Sequence, residues 1–209
     1  MTATAMVKFD LSKMAVAARK MQAAAPGPMA YLRMNKNDGS WSSGTEEDPV
    51  GKDDLFAVNI QSFQRGFVAW ADTTRKGVAP AKLEEHMFDA CETCPEPGPL
   101  PQGAAKWDAQ FAFSAMGMDG RLKGTDVVYA TTSYGGKKAV AALMTEIVEG
   151  LAVNPGKLPV VSFSSKAYPH VSYGQIYNPI ITIKKWIPTP SDKAALLKSA
   201  GKPATRKSK

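Results

Sequence analysis

The residue pattern predicts a mainly β domain with one α-helix, shaped as a small β-barrel with an N-terminal helix and a basic C-terminal tail. Three observations carry this expectation. Short stretches in which Val, Ile, Phe and Trp alternate with polar residues recur between turn signals. A single strongly periodic helix interrupts them, late in the chain. The excess positive charge lies at the two ends of the chain.

Taken in order, residues 8–25 are rich in Ala, Met and Lys and read as a helix, with an imperfect apolar stripe of Phe9, Leu11, Met14, Val16 and Met21. Pro26-Gly27-Pro28 stops it. The helix is open to three roles: packing on the body, pairing with a copy of itself, or loose attachment. The body starts with a short strand, Tyr31 to Met34, followed by the turn residues Asn37-Asp38-Gly39 and by Trp41. Residues 42–54 are polar and acidic and read as a surface loop. Leu55–Ile60 and Arg65–Ala71 read as strands, the second with Phe67 and Ala69 opposite Val68 and Trp70.

Residues 72–106, with several Pro and Gly and the CETCPEPGPLPQG segment, are expected to form a long loop. Trp107–Met116 alternates as a strand, with Trp107, Phe111 and Phe113 on a core-facing side. A turn at Met118-Asp119-Gly120-Arg121 returns the chain to a partner strand, 125–132. The helix follows, capped by Ser133, with Val140, Leu143, Met144, Ile147, Val148 and Leu151 at helical spacing, and it ends at Asn154-Pro155-Gly156. Two last strands, Leu158–Ser164 and Ile176–Trp186, are joined by a loop rich in Tyr, Gly, Pro and His. Strands, one helix and then two strands is the order of the oligonucleotide/oligosaccharide-binding (OB) barrel, whose helix sits between the third and fourth strands. An open sheet packed on one helix has the same order. The expected division is a helical arm and linker over 1–30, the barrel over 31–187 and a basic tail over 188–209.

Composition narrows the function classes. No apolar run approaches the ~20 residues of a membrane helix, and Met14–Ala18 is too short, with charge on both sides, for a secretory signal. Cys91 and Cys94 close too small a loop to staple the fold, so a reducing compartment, the cytoplasm of a host cell, is expected. The net charge is +7, yet residues 31–187 carry 16 basic against 17 acidic side chains. The excess belongs to Lys8, Lys13, Arg19 and Lys20 at one end and to Lys193, Lys198, Lys202, Arg206, Lys207 and Lys209 at the other. Such arms attract polyanions; they also serve simply as solvated tails.

No catalytic constellation is present in the pattern. There are two histidines, no G-x-S-x-G and no acidic cluster at metal-site spacing, so the chain is read as a binding protein without enzymatic activity or cofactor. Cys91 and Cys94 with His86 fall short of a zinc ligand set, so a plain loop is expected there. Tyr134-Gly135-Gly136-Lys137-Lys138 opens the helix with free N–H groups, small residues and cations. That suits an anion, or a tight strand-to-helix turn whose lysines face water. Tyr168, Tyr173 and Tyr177 accompany Lys166, and Trp186 follows Lys184 and Lys185. Aromatics interleaved with lysine suit single-stranded nucleic acid, where bases stack and cations track phosphate; half-buried aromatics closing a barrel end have the same pattern.

Several short motifs carry a resemblance. They are Ala57-Val58-Asn59 with Gly66-Phe67-Val68-Ala69-Trp70, Ser133-Tyr134-Gly135-Gly136-Lys137-Lys138-Ala139, and Tyr173-Gly174-Gln175-Ile176-Tyr177-Asn178-Pro179 running to Trp186. From about Tyr31 to Trp186 the chain resembles small bacteriophage and prophage proteins, some of which are OB-fold single-stranded DNA-binding proteins. The resemblance implies a partner, single-stranded DNA, and a role in replication or recombination, with self-association and contacts to replication or recombination proteins open. The acidic tail with which many proteins of this class recruit partners is replaced here by Ala-Thr-Arg-Lys-Ser-Lys. The expected contact set is Arg65, Trp70, Tyr134, Lys137, Lys138, Lys166, Tyr168, Tyr173, Tyr177, Lys184, Lys185 and Trp186. The alternative from another class is a phage structural, assembly or host-interaction protein, with the N-terminal helix and the 72–106 segment as docking surfaces.

If the basic tail touches phosphate, truncation after Ile187 flattens the dependence of log K on log[salt] for single-stranded DNA. Titration at several salt concentrations reads this directly, and an unchanged slope removes the tail from the interface.

Overall fold

The structure is a computed structural model and describes residues 30–72, 80–172 and 174–189. The N-terminal helix expected over 8–25, the basic tail beyond 189 and Tyr173 lie outside the described residues.

The described chain is a strongly curled sheet of 10 strands with one helix. Its strands are β1 (Ala30–Met34), β2 (Trp41–Ser43), β3 (Asp48–Val50), β4 (Phe56–Val58), β5 (Gln64–Ala71), β6 (Lys82–Asp89), β7 (Ala104–Gly117) and β8 (Asp126–Thr131). The helix α1 (Tyr134–Val153) follows, then β9 (Lys157–His170) and β10 (Gly174–Pro188). Strand β7 is the spine. One edge bonds β5 along its first half and β4 at its end, and the other edge bonds β8. From β4 the sheet continues to β9 and β10. From β8 it continues through a parallel neighbour, β1, to β2 and β3, while β6 extends β5 outward.

The two arms of the sheet curl until they meet. The Trp41 indole N–H on β2 donates to the Ser164 carbonyl on β9 at 3.0 Å. The Ser165 hydroxyl donates to the Gly39 carbonyl at 2.8 Å, and the Tyr177 N–H donates to the Lys36 carbonyl at 2.9 Å. Gly39 has a φ of +74°, and a Cβ there would lie 2.3 Å from the Ser165 hydroxyl oxygen, so only glycine lets the β1–β2 turn approach this closely. The curl encloses an aromatic cluster centred on Phe163, whose ring lies 4.9 Å from that of Trp41 and 5.1 Å from that of Phe56. Phe113 and Tyr129 complete it.

Helix α1 caps this core with Val140, Leu143 and Ile147, whose three- and four-residue spacing puts them on one stripe. The Ser133 hydroxyl accepts the Gly136 N–H at 3.1 Å, and Asn154 ends the helix by bonding the Gly150 carbonyl. A smaller apolar cluster of Ala57, Met116, Met118, Val160 and Ile187 packs on the other face of β4 and β9. No helix among the described residues is long and apolar enough to cross a membrane.

Strand-rich architecture with one capped helix agrees with the sequence reading, and several segments correct it. Residues 42–54 are not a plain loop, because the end of β2 and all of β3 lie there, held by pairing of Trp41 with Val50. The 72–106 loop contains β6, whose pairing with β5 decides its conformation despite few β-branched residues. The expected loop between the last two strands is instead the far half of a β9–β10 hairpin, paired as far as His170 and Gly174. Among the described residues, eight strands precede the helix where the OB order has three. Trp107 is not in the core: it stands on the β5–β6–β7 arm, its indole bonded to the Gly98 carbonyl and its ring 5.2 Å from His86.

Phe163→Ala removes the ring at the centre of the cluster and is expected to destabilise the protein by about 3–5 kcal/mol. Urea denaturation followed by tryptophan fluorescence checks this; a destabilisation below about 1 kcal/mol would show that the sheet closes without the cluster.

Candidate functional site

Where β8 runs into α1, the strand-to-helix turn opens onto a cleft of about 650 Å³. Its walls come from four places in the sequence. Arg33 and Lys36 come from β1 and its turn, Thr131 and Thr132 from the end of β8, Tyr134 and Gly135 from the start of α1, and Tyr168, Tyr177 and Asn178 from the β9–β10 hairpin.

Each wall has a local cause. Thr131, Ser133 and Gly136 form a chain of hydrogen bonds that sets the first turn: the Ser133 N–H donates to the Thr131 hydroxyl at 3.3 Å, and the two hydroxyls lie 3.1 Å apart. The cap takes the Gly136 N–H, while those of Tyr134 and Gly135 precede the first intrahelical bond and add the positive end of the helix dipole. Gly135 lets the helix start press on β10, since a Cβ there would lie 2.2 Å from the Asn178 side-chain oxygen. Tyr134, the first helical residue, is 82 % exposed. Tyr177 packs beside Gly39, and its hydroxyl is 3.2 Å from the Gln175 side-chain nitrogen, which donates to it.

The charge at the cleft is positive. Arg33 and Lys36 line it, Lys137 and Lys138 follow in the first turn of α1, and Lys166 stands opposite Asn178 on the paired strand. The nearby carboxylate of Asp38 is engaged within its own turn: the Ser40 hydroxyl and N–H both donate to it, holding its pKa below the usual aspartate value. At the cleft floor the phenol of Tyr129 has its pKa raised by burial, an effect the Thr131 hydroxyl partly offsets.

The twelve residues expected from sequence therefore separate. Tyr134, Tyr168 and Tyr177 line one cleft, with Lys137, Lys138 and Lys166 beside it. Trp186 does not join them. It packs on Gly150 near the far end of α1, roughly 24 Å along the helix from Tyr134, and contributes to the core. Lys184 is the bulged residue between Ile183 and Lys185, so these two lysines also sit at that end. Arg65 is on β5, where its guanidinium donates to the Glu92 carbonyl at 2.8 Å, and Trp70 stands further out, opposite Lys82.

Arg33, Lys36, Thr131, Thr132 and Asn178 escape a reading of the sequence. None stands out there as a contact, although Asn178 lies within the last of the resemblance motifs, and only the curl of the sheet brings β1 to the hairpin. A second concavity, about 490 Å³ and mostly apolar, runs along α1 between Phe63, Arg65, Phe111, Met144 and Val148. In comparisons with known protein families, curated proteins and solved structures, nothing matches this chain.

The burial of Tyr129 has a sign that can be checked. Its folded pKa lies above the ordinary value of about 10, so its contribution to stability is full below pH 10 and is lost as the pH rises through the folded value. Denaturation midpoints measured between pH 8 and 11 should fall at the alkaline end, and Tyr129→Phe should remove that part of the fall.

Proposed function

We propose that this protein binds single-stranded DNA without catalysis, taking the strand through the cleft at the start of α1. The observation that supports the reading most is the convergence of Tyr134, Tyr168 and Tyr177 with Arg33 and Lys36 in one cleft, beside the amides of a helix start. Exposed aromatic faces stack bases of any sequence, and cations with free amides hold phosphate. A duplex keeps its bases stacked on one another, so a site built on tyrosine faces favours the single strand. In this reading Lys137, Lys138 and Lys166 extend the positive path, whereas Trp186 serves the fold. A phage origin and a role in replication or recombination follow only from the sequence resemblance, and OB-type strand binding is part of the same proposal.

The apolar concavity along α1, where Val148 is 62 % exposed, favours a second reading in which the domain docks on a protein partner in an assembly. The two readings separate on nucleic-acid affinity.

Fluorescence titration with a mixed-sequence single strand and with duplex, at two salt concentrations, is the deciding measurement. Salt-sensitive binding that prefers the single strand is expected, and no binding at low salt would leave the docking role. Tyr134→Ala should weaken binding by about 1–3 kcal/mol with no change in the denaturation midpoint, because the side chain is exposed. Arg33→Ala with Lys36→Ala should reduce the salt slope by roughly 0.7 for each phosphate that these cations neutralise.

A further inference from the structure

The face of the sheet turned away from the core holds a third recess, whose chemistry differs from that of the cleft. On β1, Leu32 is buried in the core while Tyr31, its neighbour, points to the other side and is 47 % exposed. Register places Tyr31 beside Val128, Val128 beside Ser114, Ala130 beside Ala112, and Ala112 beside Gln64. The small side chains of Ala112, Ser114 and Ala130 leave a trough of about 310 Å³. Ala130 lines both the cleft and the trough, which lie at the same stretch of β8.

The far wall is fixed by hydrogen bonds. Gly66 lies between Gln110 and Met87 in the register, and the His86 carbonyl occupies the place of a Cβ there. Across this bare position the Gln110 amide nitrogen donates to the Glu85 carboxylate and, at 3.6 Å, to the Met87 sulfur. A carboxylate accepts only, so the amide nitrogen must face it, which leaves the amide oxygen as the acceptor that Gln110, a lining residue, has to offer. The other Glu85 oxygen is held by Lys82 at 2.6 Å. Among the described residues, no lysine or arginine lines the trough. With its one carboxylate paired to Lys82, the trough offers phosphate no cation of its own, and its acceptors suit a neutral ligand with N–H donors.

We propose that this trough takes one base of the bound strand by its exocyclic amino group, so that the protein prefers cytosine to thymine at that position. This rests on the single-strand reading above. The cytosine amino group donates to carboxylate and amide oxygens, whereas thymine presents a carbonyl oxygen and a methyl group at the same edge. The volume is at the lower limit of ligand pockets, ~300 Å³, and suits a single pyrimidine laid against Tyr31.

The test is a titration of the full chain with a dT oligomer and with an alternating dT/dC oligomer of the same length. Tighter binding of the alternating oligomer, by about fivefold or more, is expected. Glu85→Met, which removes the carboxylate and frees the Gln110 amide to donate to a thymine carbonyl instead, should abolish the preference for the alternating oligomer. Equal binding of the two oligomers by the wild-type chain overturns the proposal whatever the variant does, while leaving the cleft reading in place. A preference that survives Glu85→Met also overturns it, since the selection then arises elsewhere. Binding of neither oligomer removes the single-strand reading itself, and this proposal with it.

Discussion

The indole of Trp41 reaches across from β2 to the carbonyl of Ser164 on β9, residues 123 positions apart in the chain. Its ring also packs on Phe163, the neighbour of Ser164 on the same strand. The first interaction is directional and the second buries aromatic surface, so together they fix both the closure of the sheet and its register. A curled sheet gains from such closure because the apolar faces of β4, β7, β8 and β9 then share one core instead of exposing it. Closure also seats the β1–β2 turn against the last hairpin through Gly39 and Lys36. The cleft is the gap left between these elements and the start of α1.

That origin explains the chemistry of the cleft. Residues at a seam between elements contribute turn backbone, helix-start amides and side chains from strand ends, which is where exposed Tyr, Lys and Arg are tolerated. The core supplies the floor through Tyr129. On the outer face the same strands present small side chains in consecutive register, and Gly66 opens space for Gln110 to fold across to Glu85. A positive seam and a neutral, acceptor-lined trough thus meet at Ala130 of β8. Under the proposed function the first would hold phosphate and stacked bases, and the second would read a base edge.

Particular residues show what a sequence reading can and cannot reach. Ser133 and the Val140–Leu143–Ile147 stripe are legible because capping and helical spacing are local. The Met118–Arg121 turn is legible for the same reason, with Gly120 at a φ of +61°. Strand β6 is hidden because residues such as Lys82, Glu84 and His86 have low strand preference, and only pairing with β5 makes them a strand. The β9–β10 hairpin reads as too short because its Pro and Gly residues resemble a loop, while cross-strand bonds carry it to His170. Lysine neighbours give Trp186 the look of an exposed aromatic. The bulge at Lys184 shifts the register there, and the indole packs on Gly150 of the helix.

The sequence by itself determined the class of the domain, the position and caps of its one periodic helix, and the aromatic and basic character of its last strands. These are properties of nearest neighbours and of period, and they survive without knowledge of the fold. The meeting of Arg33 and Lys36 with Tyr134, Tyr168 and Tyr177 was decided only by the tertiary structure, as were the departure of Trp186 and Arg65 from that set and the trough behind Gly66. Such juxtapositions depend on how far the sheet curls before Trp41 meets Ser164, a sum of many strand-to-strand twists that no short stretch of residues encodes.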